Sequence, residues 1–158
     1  MNDAGRNRFL VSWLELAIGK VSRVIPMNTD KYYDTSKCQL CNTPKERVIA
    51  EDDLAFAIPE FFPVTEGHTL IVPRRHLLRY FELSLAELRS VHKLVIECSN
   101  RLDAYDETID GYNIGSNVGI SAGQIGFHTH VHLIPRRTGD IHNPRGGVRG
   151  VIPNKQDY

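Results

Sequence analysis

Cysteine is scarce and odd in number: three residues, two of them in Cys38-x-x-Cys41. Such a set cannot pair completely, so a disulfide-framed secreted domain is not expected and a reduced, cytoplasmic setting is. Excess charge is missing as well. Nineteen Lys and Arg balance nineteen Asp and Glu, which excludes a generally basic nucleic-acid coat and an acidic disordered tail. Long apolar runs are also missing. The stretch Phe9 to Ile18 contains Glu15 and is followed by Lys20 and Arg23, too short and too charged to span a bilayer. It lacks the small-residue cleavage site of a signal peptide, and a short helix packing on the domain is expected there. No internal repeat or low-complexity tract is found. What remains is a chain of 158 residues, 41% hydrophobic and 24% charged. That describes one globular domain, able to bury roughly 69% of its extended surface without staples.

The pattern along the chain divides it in three: an extension over 1–37, a central domain over 38–138 and a tail over 139–158. Phe9 to Val24 is weakly helical, and Met27 to Lys37 is polar and turn-rich. Val48-Ile49-Ala50 and Leu54 to Ile58 flank Asp52-Asp53 and predict a hairpin; Thr69 to Val72 predicts a third strand ending at Pro73. Ser84-Leu85-Ala86-Glu87 has capping-box spacing. Behind it Leu88, Val91, Leu94, Val95, Cys98 and Leu102 form an apolar stripe at helical steps. Cys98 is thus expected in the core and His92 on the surface. Two further strands are expected, Tyr112 to Ser116 and Phe127 to Ile134, separated by a glycine-containing loop. Hairpin-joined strands with one long helix predict an α+β fold with an antiparallel five-stranded sheet.

Chemistry concentrates at His128, His130 and His132, three of the seven histidines. In a strand all three point to one side, with Thr129, Val131 and Leu133 on the other. Three imidazoles in a row make a poor core, since each must place two ring nitrogens. Two chemistries use such a row. Neutral imidazole is a common metal ligand, and an oriented neutral imidazole is a good nucleophile near pH 7. A nucleophilic histidine attacks phosphorus through one nitrogen while the other donates to a fixed acceptor. The Gly119 to Gly126 loop supplies backbone N–H groups for phosphate oxygens.

Asn117-x-Gly119-x-x-Ala122-Gly123-Gln124 followed by His128-x-His130-x-His132-Leu133-Ile134-Pro135-Arg136 resembles the histidine-triad (HIT) superfamily of nucleotide hydrolases and transferases. Gly67-His68-Thr69-Leu70-Ile71-Val72-Pro73 with His76 resembles that family's second signature. Cys38-x-x-Cys41 resembles the opening of its zinc-bearing members. The resemblance implies that His130 is the nucleophile, His132 a phosphate ligand and His128 a support behind them. It assigns Asn117, Gly123, Gln124, Ile125 and Gly126 to phosphate and leaving group, Glu60 to the ribose hydroxyls and His68 to buttressing. Ile125 stands where a serine or threonine is usual, and Glu60 is a carbon longer than the usual Asp or Asn. The resemblance also nominates His76 and His128 to complete a structural zinc site with Cys38 and Cys41, one zinc per chain, and it implies a homodimer.

The expected function is hydrolysis or transfer at the α-phosphate of a nucleotide, such as a dinucleoside polyphosphate, through a nucleotidyl-histidine. Alternatives are a nucleoside phosphoramidate hydrolase, a phosphorylase, and a non-catalytic nucleotide-binding module. No membrane or nucleic-acid partner is expected. Arg136, Arg137, Arg145 and Arg149 give the end of the chain a local positive charge. The tail is expected to pack near the active site, with Arg145 and Arg149 on a loop that meets distal phosphates or reaches the partner subunit. A solvated tail is the plain alternative.

Overall fold

A computed structural model of the chain describes residues 34–152 and 154–156. The expected helix over Phe9 to Val24 lies outside the described residues. Five strands form one antiparallel sheet: β1 (Ala50–Glu51), β2 (Ala55–Pro59), β3 (Thr69–Pro73), β4 (Gly111–Gly115) and β5 (Val131–Arg136), in the order β1-β2-β3-β5-β4. The hairpin expected around Asp52-Asp53 is present, with Ala50 opposite Ala57. Asp52 Oδ1 closes the turn by accepting from the backbone N–H groups of Leu54 and Ala55, both at 3.0 Å.

One helix, α1 (Leu85–Tyr105), packs on the sheet. Its first turn leaves N–H groups without intrahelical partners, and Ser84 answers one by accepting from Glu87 N. Glu87 reaches back to Ser84 N at 2.8 Å, completing the capping box. Its carboxylate also meets Arg75 at 2.7 Å and is held down to about 2, chiefly by that contact. Replacing Ser84 by alanine should cost about 1 kcal/mol. Val91, Leu94, Val95 and Cys98 of the predicted stripe are buried against Ala57, Ile71, Val131 and Leu133; His92 is exposed.

Pleat alternation decides what faces the other way. Across β3 and β5, Ile71 opposes Val131 on the helix side, while Leu70 opposes His132. Leu70 belongs to a second apolar cluster with Leu40, Phe56, Ile58 and Val72, against which Cys38 and Phe61 pack. The sheet is therefore covered on one face by α1 and on the other by loops carrying Cys38 and Phe61. His132 emerges from the middle of that second face.

Candidate active site and cysteine–histidine cluster

Strand β5 begins at Val131, later than the expected start at Phe127. The reason is a hydrogen bond: Thr129 N donates to Leu77 O at 2.6 Å rather than to a sheet neighbour. His128 and His130 therefore sit ahead of the strand, and only His132 belongs to it. The preceding loop turns on Gly119 and Gly123, whose φ values of +89° and +82° suit glycine. Gln124 pins this loop from inside. Its Oε1 accepts from Gly119 N at 2.7 Å, and its Nε2 donates to Leu78 O at 2.8 Å and Gly126 O at 3.2 Å. At Gly126 an added Cβ would lie 3.6 Å from Cε1 of His130, so this backbone runs beside that ring.

Each triad ring has its state set by what its inner nitrogen meets, because a carbonyl oxygen can only accept. His128, 1% exposed, donates from Nε2 to Pro73 O at 2.8 Å and keeps a lone pair on Nδ1. His130 donates from Nδ1 to His128 O at 2.7 Å, which leaves the lone pair on Nε2. His132 is set through a chain. Val64 N donates to Nδ1 of the buried His68 at 3.3 Å, so the His68 proton is on Nε2. That proton is shared with His132 Nδ1 at 3.0 Å, and the His132 proton is then on Nε2. Three identical side chains thus present a lone pair on Nδ1, a lone pair on Nε2 and an N–H donor. Burial keeps His128 and His132 neutral, lowering each to about 4, and it lowers His68 as well.

The first of two clusters joins Cys38, Cys41, His76 and His128, whose ligand atoms lie within 4.8 Å of one another. Cys41 Sγ is 3.1 Å from His76 Nδ1 and 3.4 Å from His128 Nδ1, and Cys38 Sγ is 3.6 Å from His128 Nδ1. A tetrahedral zinc with ordinary bond lengths sets sulfur-to-nitrogen edges of about 3.6 Å, so the four residues fit that ion. The carbonyl behind His128 Nε2 is the outer partner that orients metal-ligating histidines. Neither cysteine is in a disulfide. Burial, reinforced by the Cys38 sulfur, pushes the Cys41 thiol up to about 12. A divalent cation at the centre reverses that preference, since a coordinating thiol is deprotonated.

The second cluster, Glu60, His68 and His132, also falls within 4.8 Å but is wired differently. Its two nitrogens already share a proton, and a metal there would break the Val64–His68–His132 chain. Glu60 lines the pocket, yet its carboxylate is turned to these rings. Oε1 accepts from Phe61 N at 2.7 Å, and Oε2 stands 3.6 Å from His132 Nδ1.

Both clusters open on one cavity of about 640 Å³. It is lined by His130 and His132, by Asn117 and residues 123–128 on one side, and by Leu40, Phe61, Phe62 and Val64 on the other. The structure thus brings Glu60, His68, Asn117, Gly123, Gln124, Ile125 and Gly126 together with the triad. Ile125 is 91% exposed at the rim. Sequence reasoning missed Asp34, Lys37, Leu40 and Phe61–Phe62; the adjacent aromatics directly after Glu60 were the available signal. Arg145 and Arg149 do not line the cavity of their own chain. Positive φ at Gly146 and Gly147 turns the tail on itself, and Arg149 donates to Gln156 O and Lys155 O. Arg136 is paired with Asp140, and Arg137 with Asp106.

The HIT domain matches residues 42–139, so this chain belongs to the HIT family. An uncharacterized HIT-like protein of Borreliella burgdorferi is 38% identical over 111 residues, 68% of this chain and 79% of that one. An adenylylsulfatase of Arabidopsis thaliana is 34% identical over 90 residues, 57% of this chain and 45% of that one. A zinc-bound histidine triad family protein from Mycobacterium smegmatis superposes with a TM-score of 0.61 at 28% identity, covering 69% of this chain and 81% of its own. The Plasmodium falciparum diadenosine triphosphate hydrolase does so with a TM-score of 0.58 at 25% identity, covering 63% and 67%. No described helix is long and apolar enough to cross a membrane.

Proposed function

We propose that this chain is a zinc-bearing nucleotide hydrolase that attacks the α-phosphate of its substrate with Nε2 of His130. The observation that carries the reading is the ring state of His130: Nδ1–H is held by His128 O at 2.7 Å, which aims an unprotonated Nε2 into the cavity. Attack forms an N–P bond, and the bond from phosphorus to the leaving group breaks with its electron pair, the leaving group taking up a proton. Water then adds to phosphorus, the N–P bond returns its pair to Nε2, a proton is released, and a nucleoside monophosphate leaves. His132 Nε2–H donates to a phosphate oxygen. Asn117 and the backbone from Gly123 to Gly126 flank the phosphate and leaving group. Gln124 serves by holding that loop.

The proposed zinc ligands are Cys38, Cys41, His76 and His128; when bound, the ion supplies a structural cross-link that fixes the His128 ring. The proposed domain runs over 38–138, starting at the first of these cysteines. A homodimer is proposed on the edge strand β4, where Ile114 is exposed and the tail beside it exposes Val148, Val151 and Ile152. The free thiols support a reducing, cytoplasmic setting.

The diadenosine triphosphate hydrolase among the structural neighbours supports a dinucleoside polyphosphate as substrate. One observation favours a phosphoramidate instead: among the described residues, Lys37 is the sole Lys or Arg lining the cavity. A product assay over diadenosine tri- and tetraphosphate and an adenosine phosphoramidate, with and without inorganic phosphate, tests the reading. AMP is expected from the preferred substrate in water, and ADP in phosphate if the chain is a phosphorylase. No turnover of any of these by zinc-loaded protein would overturn it.

A further inference from the structure

The carboxylate of Glu60 is held from one side and offered on the other. Oε1 accepts from Phe61 N at 2.7 Å and from Phe62 N at 3.4 Å, which fixes the group in a backbone turn after β2. Oε2 then stands 3.6 Å from His132 Nδ1 and 3.9 Å from His68 Nε2, themselves 3.0 Å apart. These three atoms form a triangle, with the Glu60 side chain 13% exposed.

We propose that Glu60 is a positioning residue that lets His132 become an imidazolium when the substrate's phosphate arrives, rather than a grip on the sugar. In the neutral pair, one proton lies between His68 Nε2 and His132 Nδ1. A second proton placed on His132 Nδ1 would set two N–H groups against each other. Among the described residues Oε2 of Glu60 is the acceptor that stands near both, so both N–H groups turn to it. The Val64 N–H bond to His68 Nδ1 is then kept, and His132 Nε2–H becomes a charged donor to the phosphate, which strengthens the contact. The titratable groups facing His132 are His130 from the chain ahead of β5, His68 from the chain entering β3, and Glu60; those facing His68 are His132, Glu60 and His130. Burial and the neighbouring histidines oppose a proton on His132, and Glu60 alone favours one. The inference rests on the reading that His132 meets phosphate.

The test is a pH titration of His132 by long-range proton–nitrogen NMR in the zinc-loaded full chain, for wild type and Glu60→Gln, each without ligand and with AMP. Glutamine keeps an oxygen for the Phe61 and Phe62 amides, so the turn is preserved. AMP should raise the wild-type midpoint. The Glu60→Gln midpoint should lie lower in both conditions, by on the order of one pH unit for a charge at this separation in a partly wet site. Loss of affinity in Glu60→Gln should be equal for AMP and 2′,3′-dideoxy-AMP. Unchanged His132 midpoints, or an affinity loss confined to AMP with its ribose hydroxyls, would overturn the proposal. The unliganded titration separates it from the hydrolase reading. A lowered midpoint in a protein that turns over no nucleotide would sink that reading and leave the triangle standing.

Discussion

Two histidine clusters line one cavity and use the same ring in opposite ways. In the cysteine cluster, His76 and His128 bring Nδ1 within 3.4 Å of Cys41 Sγ, and the far nitrogen of His128 is tied to Pro73 O. In the glutamate cluster, His68 and His132 bring their nitrogens to each other at 3.0 Å. Convergence of lone pairs on one point makes a metal site, whereas a donor facing an acceptor makes a proton chain. Proximity of ligand-type residues does not separate the two; the partner of the second nitrogen does. His130 lies between them and belongs to neither, since its inner nitrogen is held by a carbonyl and its outer one is left for chemistry.

Breaking the reactive position should have the largest effect. His130→Ala should lower turnover by at least about a thousandfold, the scale on which removal of a nucleophile is felt. The zinc content and thermal midpoint should stay near wild type, because the ring is half-buried and ligates nothing in either cluster. Wild-type turnover in that variant would remove the contrast drawn here.

Breaking the cysteine cluster should act on stability first. Cys41→Ser, or chelation, should remove zinc and lower the thermal midpoint by on the order of 10 °C, since an ion bound only by the native state adds its binding free energy to folding. The His68–His132 hydrogen bond should survive, as its partners are not shared. Elemental analysis and calorimetry read the first claim, and the histidine NMR signals the second.

The smallest effect sharpens the glutamate cluster. Folded His132 is lowered to about 4, chiefly by burial, against an unfolded value of about 6.5. Above pH 6.5 both states are neutral and the group is silent. As pH falls toward 4 the unfolded chain takes up a proton that the folded one refuses, and stability drops. Between pH 6.5 and 5 the loss should be about 1.6 kcal/mol. Urea unfolding of wild type and His132→Asn at the two pH values measures it; an equal drop in both would assign the acid sensitivity elsewhere.

Much of this was legible before any coordinates. The capping box at Ser84 and Glu87, the α1 stripe and the Asp52 turn are local patterns with local causes. The triad was legible because three imidazoles on an alternating strand contradict core packing. What sequence hid were the partners. Nothing in a linear pattern says that Pro73 O holds His128, that Leu77 O takes Thr129 N and delays β5, or that Gln124 turns inward to pin its loop. The arginines after the triad show the same gap: Arg136 and Arg137 meet Asp140 and Asp106, partners that no linear pattern names.

The central claim is that the triad holds three assigned ring states, and tautomer-resolved NMR of the zinc-loaded protein near pH 7.5 tests it most directly. The account predicts the proton of His130 on Nδ1 and those of His128 and His132 on Nε2. A proton found on Nε2 of His130 would contradict it, because the nitrogen proposed to attack phosphorus would then have no lone pair to offer.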